Sequence, residues 1–396
     1  MNYDKLTSKN IPLKVDMPTG LKAEAKYVFS VTYTDPHSLN TSAMWEGMKD
    51  IMDKNGDVLA PYPDPQGHPD LRKFIATNLR NERSIETNPD SIFLSSGAGG
   101  AVRCILEAFI DPGDVVFVEE FSYLGTMRML LQRGARVIHI ACDNEGLLTG
   151  ILEEKIKDLV AEGIQPKAIY TISVYQNPTG VTLSMKRRLH LLEIAHRYGV
   201  PIIENESYSH FLIDGDPLPP SMYGLDDQNA VMYISAFTKL LGCGLRLGYG
   251  VVPESVKNIL SESSFGGSPS QLSAMTAYEY LKDNMEMHIH NVRASLKAKR
   301  DAMLSALSEN FPSTCSWTNP SGGMMIWVKL PEGADTWKTL DKAVNAGVKY
   351  NPGGVFRSNR DNNNYLRLTY SYNTPEEIWE GIGILAEVFR REGLFS

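Results

Sequence analysis

The feature that most constrains the fold of this chain is a series of short β-branched runs, which alternate with amphipathic segments between residues 91 and 252. The segment Met185–Tyr198, for example, carries apolar residues at helical spacing with charged residues opposite. This alternation is typical of a largely parallel sheet covered by helices. The runs that we predict to be strands are SIFL, VVFVEE, RVIHIAC, AIYTISVY, VPIIENE, VMYISAF and YGVV.

The last third of the chain has a pattern of its own. An Ala-, Leu- and Lys-rich run from Asn284 to Asn310 predicts a long helix, and a final helix is predicted around Glu376–Glu392. Two apolar runs, MMIWVKL and NYLRLTY, lie between them. We therefore expect a separate α/β layer here.

Composition and charge exclude several classes of protein. The 396 residues include 39 Lys and Arg against 47 Asp and Glu, a net charge of −8 without a basic block, so we do not expect a nucleic-acid partner. No stretch of about 18 apolar residues occurs, so no membrane partner is expected either. The N-terminus is polar from the start, which predicts a cytoplasmic protein. The scattered cysteines lack metal-ligand spacing and predict no metal site; they are Cys104, Cys142, Cys243 and Cys315.

Two turns that follow predicted strands could bind a ligand. SSGAGGAV at Ser95–Val102 leads from a strand into a helix, where free backbone N–H groups suit a phosphate. YQNPTG at Tyr175–Gly180 follows the strand AIYTISV, at a carboxyl end that opens toward a ligand crevice. Either motif alone is also an ordinary turn. The spacing GxGxxG and the motif GK[ST] are both absent, so neither a dinucleotide nor a nucleoside triphosphate is favoured.

A third motif places a lysine in an apolar setting. In ISAFTKLLGCGLRLGYG, at Ile234–Gly250, Lys239 directly follows a predicted strand, and Arg246 lies seven residues further on. Most lysines are solvated surface residues. A desolvated lysine, by contrast, has a lowered pKa and readily forms Schiff bases.

Together with EEFSYLG, ENESY and NYLRLTYSYNTPEEI, these motifs resemble in order and spacing those of the class I aminotransferase-like, fold-type-I pyridoxal phosphate (PLP) enzymes. The resemblance runs from about Tyr62 to Phe389 and is closest to the aminoadipate/kynurenine aminotransferase branch. It implies an α/β fold with a mostly parallel central sheet sandwiched by helices, plus a smaller α/β domain. On this basis we expect a large PLP-binding domain at residues 46–285 and a small domain at 286–396. Residues 1–45 would join the small domain and line the active site.

The resemblance also implies the activity and the residues that carry it. The chain would be a PLP-dependent aminotransferase acting on an α-amino acid and an α-keto acid, and a homodimer with a shared active site. Lys239 would form the Schiff base and move a proton. The other implied contacts are Arg246, Thr238 and the backbone amides of Gly97, Ala98 and Gly99 at the phosphate, Tyr123 stacked on the ring, Asn177 and Tyr208 at its phenolic oxygen, Tyr62 from the neighbouring subunit, and Arg367 with Asn177 at the substrate.

Three parts of the sequence depart from the family pattern. Asn205 stands where an aspartate normally pairs with the protonated pyridine nitrogen, and an amide cannot supply that charge. Ala98 and Ala236 stand where the closest branch has serines in its phosphate cup. The segment SVTYTDPHS at Ser30–Ser38 replaces a Gly-Gly loop, so Val31, Thr32 and Tyr33 should reshape the substrate pocket.

Two alternatives therefore stay open at the level of the sequence. One is a different PLP reaction on the same scaffold, such as elimination, cyclisation or oxidative deamination, which Asn205 would suit. The other is a cofactor-binding or regulatory protein that has lost catalysis. Retention of Lys239, Arg246 and Arg367 argues against the second alternative.

Overall fold

A computed structural model describes Met1, Leu6 and residues 19–263 and 269–395. The helices in this part of the chain are α1 (Thr41–Asn55), α2 (Pro69–Arg83), α3 (Gly97–Phe109), α4 (Leu124–Gln132), α5 (Thr149–Ala161), α6 (Met185–Tyr198), α7 (Met222–Leu225), α8 (Glu254–Ser263), α9 (Gln271–Asn310), α10 (Thr336–Asn345) and α11 (Pro375–Arg391). The strands are β1 (Tyr27–Val28), β2 (Ile92–Ser95), β3 (Val115–Glu119), β4 (Arg136–Ile140), β5 (Cys142–Asp143), β6 (Gly146–Leu147), β7 (Ala168–Ile172), β8 (Ile202–Asn205), β9 (Val231–Ala236), β10 (Gly248–Val251), β11 (Ser316–Trp317), β12 (Met325–Lys329), β13 (Val348–Lys349), β14 (Asn351–Pro352) and β15 (Tyr365–Thr369).

A seven-stranded sheet forms the centre of the molecule, in the order β2-β10-β9-β8-β7-β3-β4. Strand β10 pairs antiparallel with both of its neighbours, and the other pairs are parallel. Each of the seven runs predicted from the sequence contributes one of these strands, so the prediction of a mostly parallel sheet is confirmed. Helix α6 has the bounds that its apolar periodicity predicts.

The predicted second layer is also present, as the four-stranded antiparallel sheet β11-β12-β15-β14. Its helix α11 begins with a capping box, in which Thr374 and Glu377 each accept a hydrogen bond from the other's backbone N–H. Strand β1 pairs with β13 in a separate two-stranded sheet, next in sequence to β14 of this layer.

Helix α9 has 40 residues, a length of about 60 Å at 1.5 Å per residue. It packs against α1, α2 and α11. The predicted boundary at residue 285 falls inside this continuous helix. The division into two domains stays a prediction.

One hydrophobic core joins the two sheets. It includes Val116 and Ile203 of the central sheet together with Ile326 and Leu368 of the smaller sheet. A second core packs α5 and α6 against the other face of the central sheet, through residues such as Ile156, Leu191 and Ile202. Within the described ranges, no helix is both long enough and apolar enough to cross a membrane.

Candidate active site

One pocket collects most of the residues that the sequence singled out. It lies where β7, β8 and β9 end and where α3 begins, as expected for a crevice at the carboxyl ends of parallel strands. The sequence-predicted residues that line it are Gly97, Ala98, Gly99, Tyr123, Asn177, Asn205, Tyr208, Thr238, Lys239 and Arg246. Ala236 and Thr32 line it as well.

Two predicted residues lie outside that lining. Arg367 lies beside the pocket and donates from Nη1 to Asn177 Oδ1 at 2.7 Å. Tyr62 is fully exposed, with a relative exposure of 101%, and does not line the pocket of its own chain.

The start of α3 forms a cradle that is suited to an anion. The first N–H groups of a helix have no intrahelical partner, and Gly97 begins α3. Gly97 has φ +71°, and a Cβ there would lie 3.0 Å from both Arg246 Nη2 and Thr238 Oγ1. Gly248 approaches from β10, where a Cβ would lie 2.5 Å from the Gly97 carbonyl carbon. A guanidinium, a hydroxyl and free amides therefore surround a space that a phosphate fits.

Lys239 follows the end of β9, and its amine lies in the pocket. Nζ donates to the Thr32 carbonyl at 2.8 Å and lies 3.7 Å from Cys243 Sγ. Burial lowers the pKa of Lys239 from its ordinary value of 10.5. Among the described residues no carboxylate forms a salt bridge with this amine, which favours the neutral, nucleophilic form.

Arg367, on β15, is buried, with only 5% of its surface exposed. Its Nη2 donates to the Ser30 carbonyl, and its Nε has no hydrogen-bond partner in the described part of the chain. Burial lowers the pKa of Arg367 to about 10, so the guanidinium remains charged near neutrality. A buried cation with an unused donor suits a carboxylate ligand.

Asn205 ends β8 and is 6% exposed. Its Oδ1 accepts hydrogen bonds from Ser207 N at 3.1 Å and from Ser207 Oγ at 2.6 Å, and its Nδ2 donates to Tyr170 Oη at 3.0 Å. Glu204 and Glu206 face away from the pocket, as strand alternation predicts, and Arg188 donates to both at 3.1 Å.

The segment Tyr27–Asp35, here called the N-terminal strap, crosses the site. Its successive carbonyls accept hydrogen bonds from side chains of the surrounding elements: Ser30 from Arg367 and Asn351, Val31 from Thr369, Thr32 from Lys239 and Tyr33 from Ser371. The expectation that residues 1–45 line the site can be examined only from residue 19 onward, since residues 2–5 and 7–18 lie outside the described part of the chain.

The strap contacts join side chains to backbone carbonyls of residues far apart in the chain, so no sequence motif signals them. Tyr170, by contrast, could have been found. It lies two residues before Ile172, which pairs with Asn205, so strand alternation places both side chains on the same face.

The fold and this site together define a PLP-binding enzyme, and the comparisons with known proteins agree. The family described as aminotransferase class I and II matches residues 33–385, and the chain belongs to this family. An aromatic-amino-acid aminotransferase from Thermococcus litoralis is 34% identical over 360 residues, which cover 90% of this chain and 86% of that relative.

Solved structures give the same result. A kynurenine aminotransferase from Pyrococcus horikoshii, in complex with PMP, has a TM-score of 0.92 and 31% identity, with 99% of this chain and 98% of that chain covered. An α-aminoadipate aminotransferase from Thermus thermophilus, complexed with N-(5'-phosphopyridoxyl)-L-leucine, has a TM-score of 0.89 and 25% identity, with 99% of both chains covered.

The protein is therefore a PLP-dependent aminotransferase of fold type I, with an α-amino acid and an α-keto acid as substrates. The pocket fits the cofactor, because it offers an anion cradle at α3, a buried amine without a carboxylate, and a buried arginine with an unused donor. The comparisons do not favour the elimination, cyclisation or oxidation chemistry that Asn205 leaves open in the sequence.

Proposed function

We propose that Lys239 is the residue that attaches PLP and transfers the proton in transamination. The observation that carries this proposal is the position of its amine, inside the pocket and bonded only to a neutral carbonyl and a thiol among the described residues. A lysine with a pKa lowered by burial is neutral at a lower pH than an exposed lysine, and so is available as nucleophile and base.

The remaining contacts are proposed for the parts of the cofactor whose chemistry they match. The amides of Gly97, Ala98 and Gly99, with Thr238 and Arg246, bind the phosphate; Tyr123 stacks on the ring; Asn177 and Tyr208 hydrogen-bond its phenolic oxygen; and Asn205 contacts its nitrogen. When bound, PLP supplies the electron sink that makes the α-proton of an amino acid removable.

Arg367 is proposed to bind the α-carboxylate of the substrate, with Asn177 beside it. Its planar guanidinium can form two parallel hydrogen bonds to a carboxylate, and its charge persists because the pKa stays well above neutrality. A carboxylate that is fixed there orients the α-carbon, so that Lys239 removes the proton and returns it at a defined position.

A half-reaction tests the proposal most directly. The PLP-loaded protein is incubated without a keto acid, in turn with aromatic amino acids, kynurenine, 2-aminoadipate and aspartate. Products are quantified by liquid chromatography and mass spectrometry. Equal amounts of a keto acid and of pyridoxamine phosphate are expected for each true donor. Ammonia or an eliminated fragment, with PLP unchanged, would contradict transamination.

We also propose a homodimer in which Tyr62 reaches the pocket of the partner subunit. Its support is the exposure of three large apolar side chains in one stretch of chain: Trp45 at 61%, Leu59 at 44% and Tyr62 at 101%. Sedimentation equilibrium should give twice the 44.0 kDa chain mass, and Tyr62→Ala should weaken PLP binding. A monomer with unchanged PLP affinity in this variant would contradict the shared site.

The remaining proposals concern organisation and location. We propose a large domain at residues 46–285 and a small domain at 286–396, supported by the two separate sheets. A cytoplasmic location and a role in amino-acid biosynthesis are also proposed. The location is supported by the four free cysteines, which are usual in a reducing compartment. Cell fractionation followed by immunoblotting tests it.

A further inference from the structure

The hydrogen bonds of Asn205 fix which way its amide points. The backbone N–H of Ser207 can only donate, so the Asn205 atom that it faces at 3.1 Å must be the oxygen. The Ser207 hydroxyl donates to the same oxygen at 2.6 Å. With the oxygen held by two donors, the amide nitrogen lies at the other end and donates to Tyr170 Oη at 3.0 Å.

The amide of Asn205 has one hydrogen-bonding group left for a ligand. An amide oxygen accepts two hydrogen bonds, and both are supplied by Ser207. The amide nitrogen donates two, of which Tyr170 takes one. The second N–H has no partner among the described residues, and Asn205 lines the pocket. Its remaining capacity is therefore a donor, whereas a carboxylate at this position would offer an acceptor.

No carboxylate among the described lining residues supplies the negative charge that an aspartate would bring. Glu206 is bound by Arg83 at 2.8 Å and Glu204 by Arg188 at 3.1 Å, all in the interior away from the pocket. Tyr170 is neutral, because burial raises the pKa of its hydroxyl above the ordinary range. The charged groups that face the pocket are cations, Arg246 in its lining and Arg367 beside it.

We propose that Asn205 donates its free N–H to the ring nitrogen of bound PLP and so keeps that nitrogen unprotonated. If the ring nitrogen were protonated, its N–H would face the free N–H of Asn205, and two donors cannot form a hydrogen bond with each other. The proton would also add a positive charge to a pocket whose described lining contains no carboxylate. The inference rests on the proposed contact between Asn205 and that nitrogen. Its consequence is a weaker electron sink, so that proton transfer depends more heavily on how well Lys239 is positioned.

The protonation state can be observed without turnover. Apo protein is loaded with PLP that carries ¹⁵N in the ring, and the ¹⁵N chemical shift is recorded by NMR. Free PLP, recorded on either side of the pKa of its ring nitrogen, supplies the two reference shifts. The bound cofactor is expected at the unprotonated reference. A resonance at the protonated reference would overturn the inference, whether or not any variant can be prepared.

Two variants sharpen the result. Asn205→Asp replaces the donor with an acceptor while Ser207 still holds the other oxygen, so the ¹⁵N shift should move to the protonated reference. Ser207→Ala removes the hydroxyl but keeps the backbone N–H that orients the amide, so its shift should match that of the natural protein. An unchanged shift in Asn205→Asp would contradict the proposed contact.

Failure of this inference can be told apart from failure of the proposed function. Mass spectrometry after borohydride reduction reports whether PLP is attached to Lys239. If PLP is not attached there, the proposed site is wrong. If PLP is attached but its ring nitrogen is protonated, only the role of Asn205 is wrong.

Discussion

At the scale of single residues, the direction of each hydrogen bond limits what the site can bind. Arg367 can only donate, so the Asn177 atom at 2.7 Å must be the amide oxygen, and the Asn177 nitrogen faces Tyr208 Oη at 3.4 Å. Burial raises the pKa of Tyr208, so its hydroxyl keeps its proton. The three side chains thus present defined donors to one side of the pocket.

The first residue-scale prediction concerns Lys239. Lys239→Ala should leave PLP bound only noncovalently, and transaminase activity should fall by about 10³-fold or more, since acid–base catalysis alone contributes about 10²–10⁴-fold. Borohydride reduction and intact mass measure the attachment. Lys338→Ala, which changes an exposed lysine, should keep both attachment and activity. Covalent PLP in Lys239→Ala would show that another lysine carries the cofactor.

A second prediction at the scale of residues concerns Arg367, the buried arginine beside the pocket. Arg367→Gln removes a charged hydrogen-bond donor worth about 2 kcal/mol, so kcat/KM for amino acids should fall by about 30-fold. An amine that lacks the carboxylate supplies the control, because its slow reaction has no such contact to lose. If the variant slows both substrates equally, Arg367 acts on the structure of the site and does not bind the carboxylate.

At this scale, the sequence predicted the residues that belong to motifs but not their partners. Lys239, Asn177 and Arg246 each lie in a recognisable run, and the structure brings them into one pocket. Thr32, whose carbonyl binds Lys239, is 207 positions away in sequence. A backbone carbonyl has the same chemistry in every residue, so only the fold determines which one approaches the amine.

At the scale of elements, the site depends on how closely β10 approaches α3. Gly248 on β10 faces Gly97 at the first turn of the helix, where a Cβ would lie 2.5 Å from the Gly97 carbonyl carbon and 2.7 Å from the Ala98 nitrogen. Both neighbouring atoms are backbone and cannot rotate away. The anion cradle therefore exists only while residue 248 has no side chain.

Gly248→Ala tests this close approach. The methyl group should displace the start of α3, lower stability by about 1–3 kcal/mol and weaken PLP binding. Urea unfolding and a PLP titration measure the two effects. Gly244→Ala is the matched control, because nothing lies within 4 Å of a Cβ at that nearby glycine. Equal PLP affinity in the two variants would refute the role of the contact.

Elements differ in how well their sequence predicts them. The strands of the central sheet were predictable because each is a compact apolar run between helical segments. The start of α9 was not: the pattern suggested Asn284, whereas the helix begins at Gln271. Residues 274–277 are all buried, so this end of the helix is packed on several sides and shows no one-sided periodicity.

At the scale of the whole molecule, the N-terminal strap connects the small sheet, the long helix α9 and the pocket. Its last residue, Asp35, forms a salt bridge with Lys299 of α9 at 2.7 Å and accepts a hydrogen bond from Ser295 at 2.8 Å. Lys299 also donates to the carbonyl of Ser371, beside β15. One buried ion pair thus holds together segments from three parts of the sequence.

Asp35→Asn should lower the stability of the protein, because it removes the charge that pairs with Lys299. Breaking a buried pair costs about 3 kcal/mol or more, which urea unfolding at pH 7 measures. Although burial alone would raise it, the pKa of Asp35 is lowered from 3.8, because hydrogen bonds from Lys299, the His37 backbone and Ser295 outweigh desolvation. The stabilisation is therefore present above pH 3.8 and is lost as the pH falls through the lowered pKa.

The control for this prediction lies next to the strap. Lys26 and Glu380 form an exposed pair, with side-chain exposures of 63% and 58%. Glu380→Gln should cost less than about 1 kcal/mol, because solvent screens exposed pairs. A similar loss in the two variants, or a loss in Asp35→Asn that persists unchanged at low pH, would count against the buried ion pair.

The strap carbonyls that bind Arg367 and Lys239 belong to Ser30 and Thr32, two residues apart. A ligand that takes the place of either carbonyl displaces part of the same short segment, so its entry into this site is an exchange. Once the cofactor has freed Thr32, the segment has one contact fewer to lose when a carboxylate arrives. We therefore expect the two ligands to bind with positive cooperativity, and thermodynamic linkage requires each to increase the affinity for the other by the same factor.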